Sequence, residues 1–218
     1  SGCGSWATRW ANRANRAPSS DRNPPGGAGF PSYDSTMLKT EDRSAGCSAG
    51  HDNGEELFPV VDLSGRVVGS ALRRECHGGS MLLHPVVHLH LFNSRGELYL
   101  QRRPMWKDIQ PGRWDTAVGG HVSYGETVGE ALRREACEEL GIADFKPELR
   151  TVYPFRSARE YELVHVHRTT YDGPIFPSEE LDGGRFWTMA EIRAAMGQGV
   201  LTPNFEQEVV RVFPQYFT

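Results

Sequence analysis

The sequence predicts an α+β domain in which a mixed β-sheet is layered between helices, preceded by a β-hairpin extension. Three observations carry that prediction. The composition changes abruptly at residue 57, strand-length apolar runs follow it, and three helical segments fall among those strands without strict βα alternation.

Residues 1–56 contain no Val, no Ile and a single Leu, Leu38, while Gly, Ser, Asn, Pro and Arg abound. A segment of that kind buries too little apolar surface to offset the entropy of ordering it, so it is expected to be a disordered tail. Met37 is a conceivable natural start, which leaves open a vector-derived origin for the residues before it. The domain is expected to run over residues 57–218.

Leu57–Asp62, a Ser64-Gly65 turn and Arg66–Arg73 read as a β-hairpin. Pro85–Phe92 is strand-like, and an Asn93–Gly96 turn returns the chain into a second strand over 97–101. Thr116–Val122 is short and rich in glycine. Residues 125–141 form the clearest helix, in which Val128, Leu132, Ala136 and Leu140 recur every four residues as a packing stripe and Gly141 suits a left-handed C-terminal position. Strands are expected over 148–155, 160–171 and 185–188, and a helix over 190–196. Thr202-Pro203 opens a last helix through Val212, because threonine caps helix N-termini well and proline is tolerated in the first turn.

The chain has 218 residues, a net charge of −4, 38% hydrophobic and 24% charged residues, values ordinary for globular proteins. No apolar run is long enough to span a bilayer, and the N-terminus lacks a basic-then-apolar signal. The mildly acidic balance argues against general nucleic-acid binding. Cys3, Cys47, Cys76 and Cys137 form no CxxC pair, so neither a zinc ribbon nor a disulfide scaffold is indicated. A cytoplasmic protein without a membrane or nucleic-acid partner is expected.

The densest chemical signal lies in Gly120–Ile142. Glu135, Glu138 and Glu139 stand at i, i+3 and i+4 on one helical face, where three carboxylates repel unless solvated or gathered around a cation. With Gly120, Glu126, Arg134, Gly141 and Ile142 they fit the pattern G-x5-E-x7-R-E-U-x-E-E-x-G-U, where U is aliphatic; only Ala136 is smaller than usual. This pattern is the Nudix box, and the chain resembles the Nudix hydrolase superfamily over roughly residues 56–213. The resemblance implies a Nudix fold and hydrolysis of a phosphoanhydride bond in a diphosphate linked to another group. It implies Mg²⁺ or Mn²⁺ held by Glu135, Glu138 and Glu139, with the Gly120 carbonyl as a further ligand. A hard cation of that type takes oxygen ligands and completes its shell with water and phosphate oxygens. Glu126 and Arg134 are expected to form a structural ion pair. Glu135 is a candidate general base that metal binding would weaken, and Glu180, on a later loop, is the other candidate.

Leu83-His84-Pro85, Gln101-Arg102-Arg103, Lys107, Pro111–Asp115, Gly119-Gly120-His121 and Thr202–Phe205 narrow the resemblance to the isopentenyl-diphosphate-isomerase-like group. Isomerases of that group carry a catalytic cysteine where this chain has Gly119, and their Nudix box is degenerate where this one is intact. Glycine cannot move a proton to or from carbon, so hydrolysis is favoured over isomerisation. An isomerase, or a non-catalytic ligand-sensing Nudix domain, remains the alternative. Arg102, Arg103, Lys107, Arg113 and His121 are the candidate substrate-binding residues, since a diphosphate needs cationic donors. His84, His88 and His121 sit where isomerase-type relatives place metal-binding histidines, although half-buried strand histidines are the plainer reading. Trp114, Phe155 and Tyr161 are expected to pack in the core. The expected partner is a small-molecule diphosphate, with a homodimer left open.

Overall fold

The computed structural model describes residues 53–107 and 109–217. Of the tail expected over 1–56, only residues 53–56 fall within the described residues, and they are tied to the domain. Glu56 accepts the Arg73 N–H at 2.7 Å and Gly54 the Arg74 N–H at 3.1 Å, both through backbone carbonyls.

Strands β1 (Leu57–Val61) and β2 (Val67–Leu72) form the antiparallel hairpin. The Asp62 carboxylate closes it by accepting the backbone N–H groups of Ser64 and Arg66, and Gly65 takes the left-handed φ of 81° that the turn requires. The second strand ends before Arg73, because that residue begins a single helical turn, α1 (Arg73–Cys76). The carbonyls of residues 54 and 56 satisfy its first N–H groups, a local arrangement that periodicity does not encode.

The main sheet contains β3 (Leu83–Phe92), β4 (Leu98–Arg102), β5 (Trp114–Asp115), β6 (Val118–His121), β7 (Glu148–Arg156), β8 (Tyr161–Thr170) and β9 (Gly184–Trp187). The order is β5-β4-β3-β8-β7, with β6 also paired to β3 and β9 to β4. The long pairing is parallel, β3 on β8, from Leu83 opposite Tyr161 to Phe92 opposite Thr170. Strand β6 runs antiparallel to β3, with Val87 opposite Gly120 and His88 opposite Gly119. The two-residue β5, too short for a periodic signal, is held by the pairing of Gln101 and Arg102 with Asp115 and Trp114.

Helix α2 (Val128–Leu140) covers one face of the sheet; α3 (Met189–Ala195), α4 (Pro203–Val212) and a 3₁₀ turn (Pro214–Tyr216) cover the other. This is the expected α/β/α layering. Thr127 caps α2, accepting the Glu130 N–H, and Gly141 ends it at φ 66°. Thr202 caps α4 by accepting the Phe205 N–H at 3.2 Å, with Pro203 in the first turn. Odd-numbered residues of β3, Val87, Leu89 and Leu91, pack with Leu132, Ala136 and Leu140 of α2. Even-numbered Val86 and Phe92 pack with Ile192, Phe205 and Val209. Trp114 stands edge-on to Trp187 and Phe155 joins the second layer, as expected of core aromatics.

One buried polar knot interrupts the second layer. Glu208 of α4, 2% exposed, accepts at 2.7 Å from each of His88 Nδ1, His90 Nε2 and the Tyr153 hydroxyl. Burial opposes the charge on His88, but the adjacent carboxylate outweighs it and holds the imidazole up at about 9. Burial likewise opposes the charge on Glu208, and the two histidines outweigh it, holding the carboxyl well below the usual range. The histidine contribution is complete below its unfolded pKa near 6.5 and is lost as pH rises toward 9; the carboxylate contribution is lost in acid. Denaturant unfolding should therefore show stability falling between pH 6.5 and 9, a slope that His88→Gln flattens. Breaking the pair with Glu208→Gln should cost about 3 kcal/mol, because it leaves a half-buried imidazolium without its counter-charge.

Candidate active site

The box helix α2 lies against β6 at a point where β6 has no side chain. A β-carbon placed on Gly120 would overlap the carboxyl group of Glu135. Gly120 is thus a cradle that lets a helical carboxylate approach the strand backbone, an arrangement that suits a cation with oxygen ligands. One residue earlier, the Gly119 N–H donates to Glu139 Oε2 at 3.2 Å.

Arg134 organises the carboxylates. It donates through Nε and Nη2 to the two oxygens of Glu126, both at 2.9 Å, through Nη1 to Glu135 at 2.9 Å and Glu138 at 3.1 Å, and through Nη2 to the His121 carbonyl at 2.9 Å. The expected Glu126–Arg134 ion pair is therefore present and extends further. Burial pushes Glu135 up to about 7, with Arg134 pulling against it. Burial and the neighbouring Glu135 charge hold Glu139 well above the ordinary range. Two desolvated carboxyls this close resist ionisation, and a divalent cation would relieve both costs.

Glu180 lies beside this face, since its charge and that of Asp115 both add to the upward push on Glu139. Its loop is tied to α2 by the Ser178 N–H, which donates to the Glu139 carbonyl at 2.9 Å. The basic candidates are mostly engaged in bracing. Arg102 pairs with Asp182 at 3.2 Å, Arg103 with Asp115 at 3.4 Å, and Arg113 donates to the Leu201 carbonyl at 3.4 Å. Lys107 stands with its ammonium 4.8 Å from the Trp106 ring centroid.

His121 takes a different position from the carboxylates. Strand alternation turns it to the face of β6 opposite Gly120, where it meets His77 and His84. One ligand atom from each of these three imidazoles lies within 4.8 Å of the others. His84 Nδ1 donates to the Leu82 carbonyl at 2.9 Å, so its buried Nε2 is a lone pair with no hydrogen-bond partner among the described residues. His77 Nδ1 pairs with Glu160 at 3.0 Å, and its Nε2 lies 3.0 Å from His121 Nε2. Burial, then the Arg73 charge, hold His121 well below its ordinary value. Rings oriented through their other nitrogen have the character of ligands to a borderline metal. The Phe58 ring stacks on His121 with centroids 4.6 Å apart, so the hairpin roofs this cluster.

Sequence reasoning included His84 and His121 but missed His77, and it grouped His88 with them where the structure gives His88 to Glu208. Glu162, half-buried and pushed up to about 7 by desolvation, also escaped it; the residue reaches the cluster because β8 sets it opposite His84. No local spacing signals either neighbour.

A NUDIX domain model matches residues 82–205 of this chain. A Nudix hydrolase of Deinococcus radiodurans is 33% identical over 161 residues, covering 72% of this chain and 93% of the relative. An uncharacterized Nudix hydrolase of Pseudomonas aeruginosa is 44% identical over 132 residues, or 60% of this chain and 78% of the relative. An isopentenyl-diphosphate Delta-isomerase of Burkholderia multivorans is 33% identical over 127 residues, or 56% and 72%. A crystal structure of a Deinococcus radiodurans protein superposes with a TM-score of 0.63 at 28% identity, covering 72% of this chain and 99% of that one. The chain belongs to the Nudix family, in the group whose members are named both as Nudix hydrolases and as isopentenyl-diphosphate isomerases.

Proposed function

We propose that this Nudix pyrophosphohydrolase cleaves the phosphoanhydride bond of an organic diphosphate with a divalent cation, Mg²⁺ or Mn²⁺, held by Glu135, Glu138, Glu139 and the Gly120 carbonyl. The observation that carries the reading is the packing of the half-buried Glu135 carboxyl against a strand glycine, beside the half-buried carboxyl of Glu139. When bound, the cation neutralises the diphosphate and activates water for attack at phosphorus. Arg134 keeps Glu135 and Glu138 aimed from one guanidinium. Glu180 is the candidate to take the proton from the attacking water. Lys107 and the arginines at 102, 103 and 113 supply positive charge at the rim.

Hydrolysis is favoured over isomerisation by Gly119, whose position faces the His88 ring; a β-carbon there would lie 3.6 Å from His88 Cδ2. The retained imidazoles support a second reading for that face, a separate centre for a borderline cation such as Zn²⁺ or Mn²⁺. Its carrying observation is the buried Nε2 of His84, which has no hydrogen-bond partner among the described residues.

The main reading is tested by release of phosphate or a monophosphate from nucleotide sugars, ADP-ribose, dinucleoside polyphosphates and prenyl diphosphates with Mg²⁺. Glu139→Gln should lower kcat at least a hundredfold, while turnover equal to the parent would refute the assignment. Because Glu135 releases its proton only near pH 7, Mg²⁺ affinity measured by calorimetry should rise between pH 6 and 8. A flat profile would mean that Glu135 is not a ligand. For the second centre, His84→Ala should weaken Zn²⁺ binding by roughly tenfold or more without altering the Mg²⁺ requirement.

A further inference from the structure

The family model that matches this chain begins at residue 82, so the hairpin and α1 lie outside it. They are nonetheless fastened to the loop that leads from β6 into the box helix. The Tyr124 N–H donates to the Leu57 carbonyl at 2.8 Å, and the Ser123 hydroxyl donates to the Glu56 carboxylate at 2.7 Å. The His121 ring lies flat on the Phe58 ring, with centroids 4.6 Å apart and planes 5° from parallel. Its Nε2 is 3.0 Å from that of His77, the C-terminal cap of α1. Phe58 is itself fully buried against Ala71 and Cys76, so the plate under His121 is seated in a core of its own.

The same loop carries the anchor of the carboxylates. The His121 carbonyl accepts from Arg134 Nη2 at 2.9 Å, and the Ser123 N–H donates to Glu126 Oε2 at 3.1 Å. Glu126 in turn takes two hydrogen bonds from the Arg134 guanidinium, whose remaining nitrogen aims Glu135 and Glu138. A guanidinium is a rigid planar fork, so its position is fixed by all its acceptors together. If the 121–124 loop shifts, Arg134 follows and the two carboxylates lose their aim; outer partners of this kind set metal affinity by orienting the ligands. His121 belongs to both arrangements. Strand alternation points its ring to the face away from Gly120, while its carbonyl meets Arg134.

We propose that the hairpin extension is a working part of the cation centre: it clamps the 121–124 loop, and His121 is the positioning residue that passes the clamp to Arg134. The inference rests on the cation site of Glu135, Glu138 and Glu139 and adds the element that keeps it aimed. For this role the ring serves as an aromatic plate against Phe58, and the group that acts on the centre is the backbone carbonyl.

The test measures Mn²⁺ affinity by electron paramagnetic resonance for the parent, His121→Ala, His121→Phe, Arg134→Lys and the double variant His121→Ala/Arg134→Lys. His121→Ala should weaken binding roughly tenfold. His121→Phe, which keeps the stack, should recover most of that loss. Both single changes act on one contact, so the double variant should bind within about twofold of Arg134→Lys alone, where independent effects would multiply. Parent-like affinity in His121→Ala would overturn the proposal, as would multiplied losses in the double variant. His121→Phe binding as weakly as His121→Ala would also overturn it and give the imidazole nitrogens the direct part. Should His121→Ala fail to fold, Ser123→Ala carries the test, since it removes only the tie to Glu56. Binding about two- to threefold weaker is then expected, and unchanged affinity refutes the clamp. Equal Mn²⁺ binding by the parent and Glu139→Gln would instead sink the cation site on which the clamp rests.

Discussion

The close approach of the box helix to β6 at Gly120 is the constraint on which the candidate chemistry depends. Helix α2 is seated on the sheet by Leu132, Ala136 and Leu140, and that seating carries the Glu135 carboxyl into space that any other residue at 120 would fill. Alternation along the strand does the rest. Gly120 faces the carboxylates, while Gly119 and His121 face the opposite side, where the imidazoles and His88 stand. A four-residue strand thereby separates an oxygen-rich site from a nitrogen-rich one.

Charge holds that arrangement in place. One guanidinium serves Glu126, Glu135, Glu138 and the His121 carbonyl, so the cradle loop, the helix and β6 share a single anchor. Arginine suits this role because its fork reaches several acceptors in one plane and does not lose its proton. It leaves Glu139 outside the network, held instead by burial and the Gly119 N–H.

Much of this was legible in the sequence, and the limits have a physical origin. The C-terminal end of α2 and the start of α4 follow from local rules at Gly141, Thr202 and Pro203, and strands β3, β4 and β8 from their apolar runs. The box carboxylates and the Glu126–Arg134 pair lie within one short segment, where helical spacing groups the carboxylates and the resemblance to the Nudix box implies the pair. His77, Glu160 and Glu162 were out of reach because they join His84 and His121 through the hairpin roof and the parallel β3–β8 pairing, which spans nearly eighty residues of sequence. Glu208 was hidden for the same reason: its partners His88, His90 and Tyr153 come from β3 and β7. The helical turn α1 depends on carbonyls from a segment that composition assigned to the tail.

The central claim is that the Gly120 cradle builds a cation site, and the most direct measurement is Mn²⁺ affinity by electron paramagnetic resonance for Gly120→Ala and Gly119→Ala beside the parent chain. The account predicts that Gly120→Ala, which forces the Glu135 carboxyl out of place, weakens binding roughly tenfold or more. Gly119→Ala, whose β-carbon meets only ordinary contacts with His88 and Thr116, should bind as the parent does. Equal Mn²⁺ affinity in all three folded proteins would contradict it.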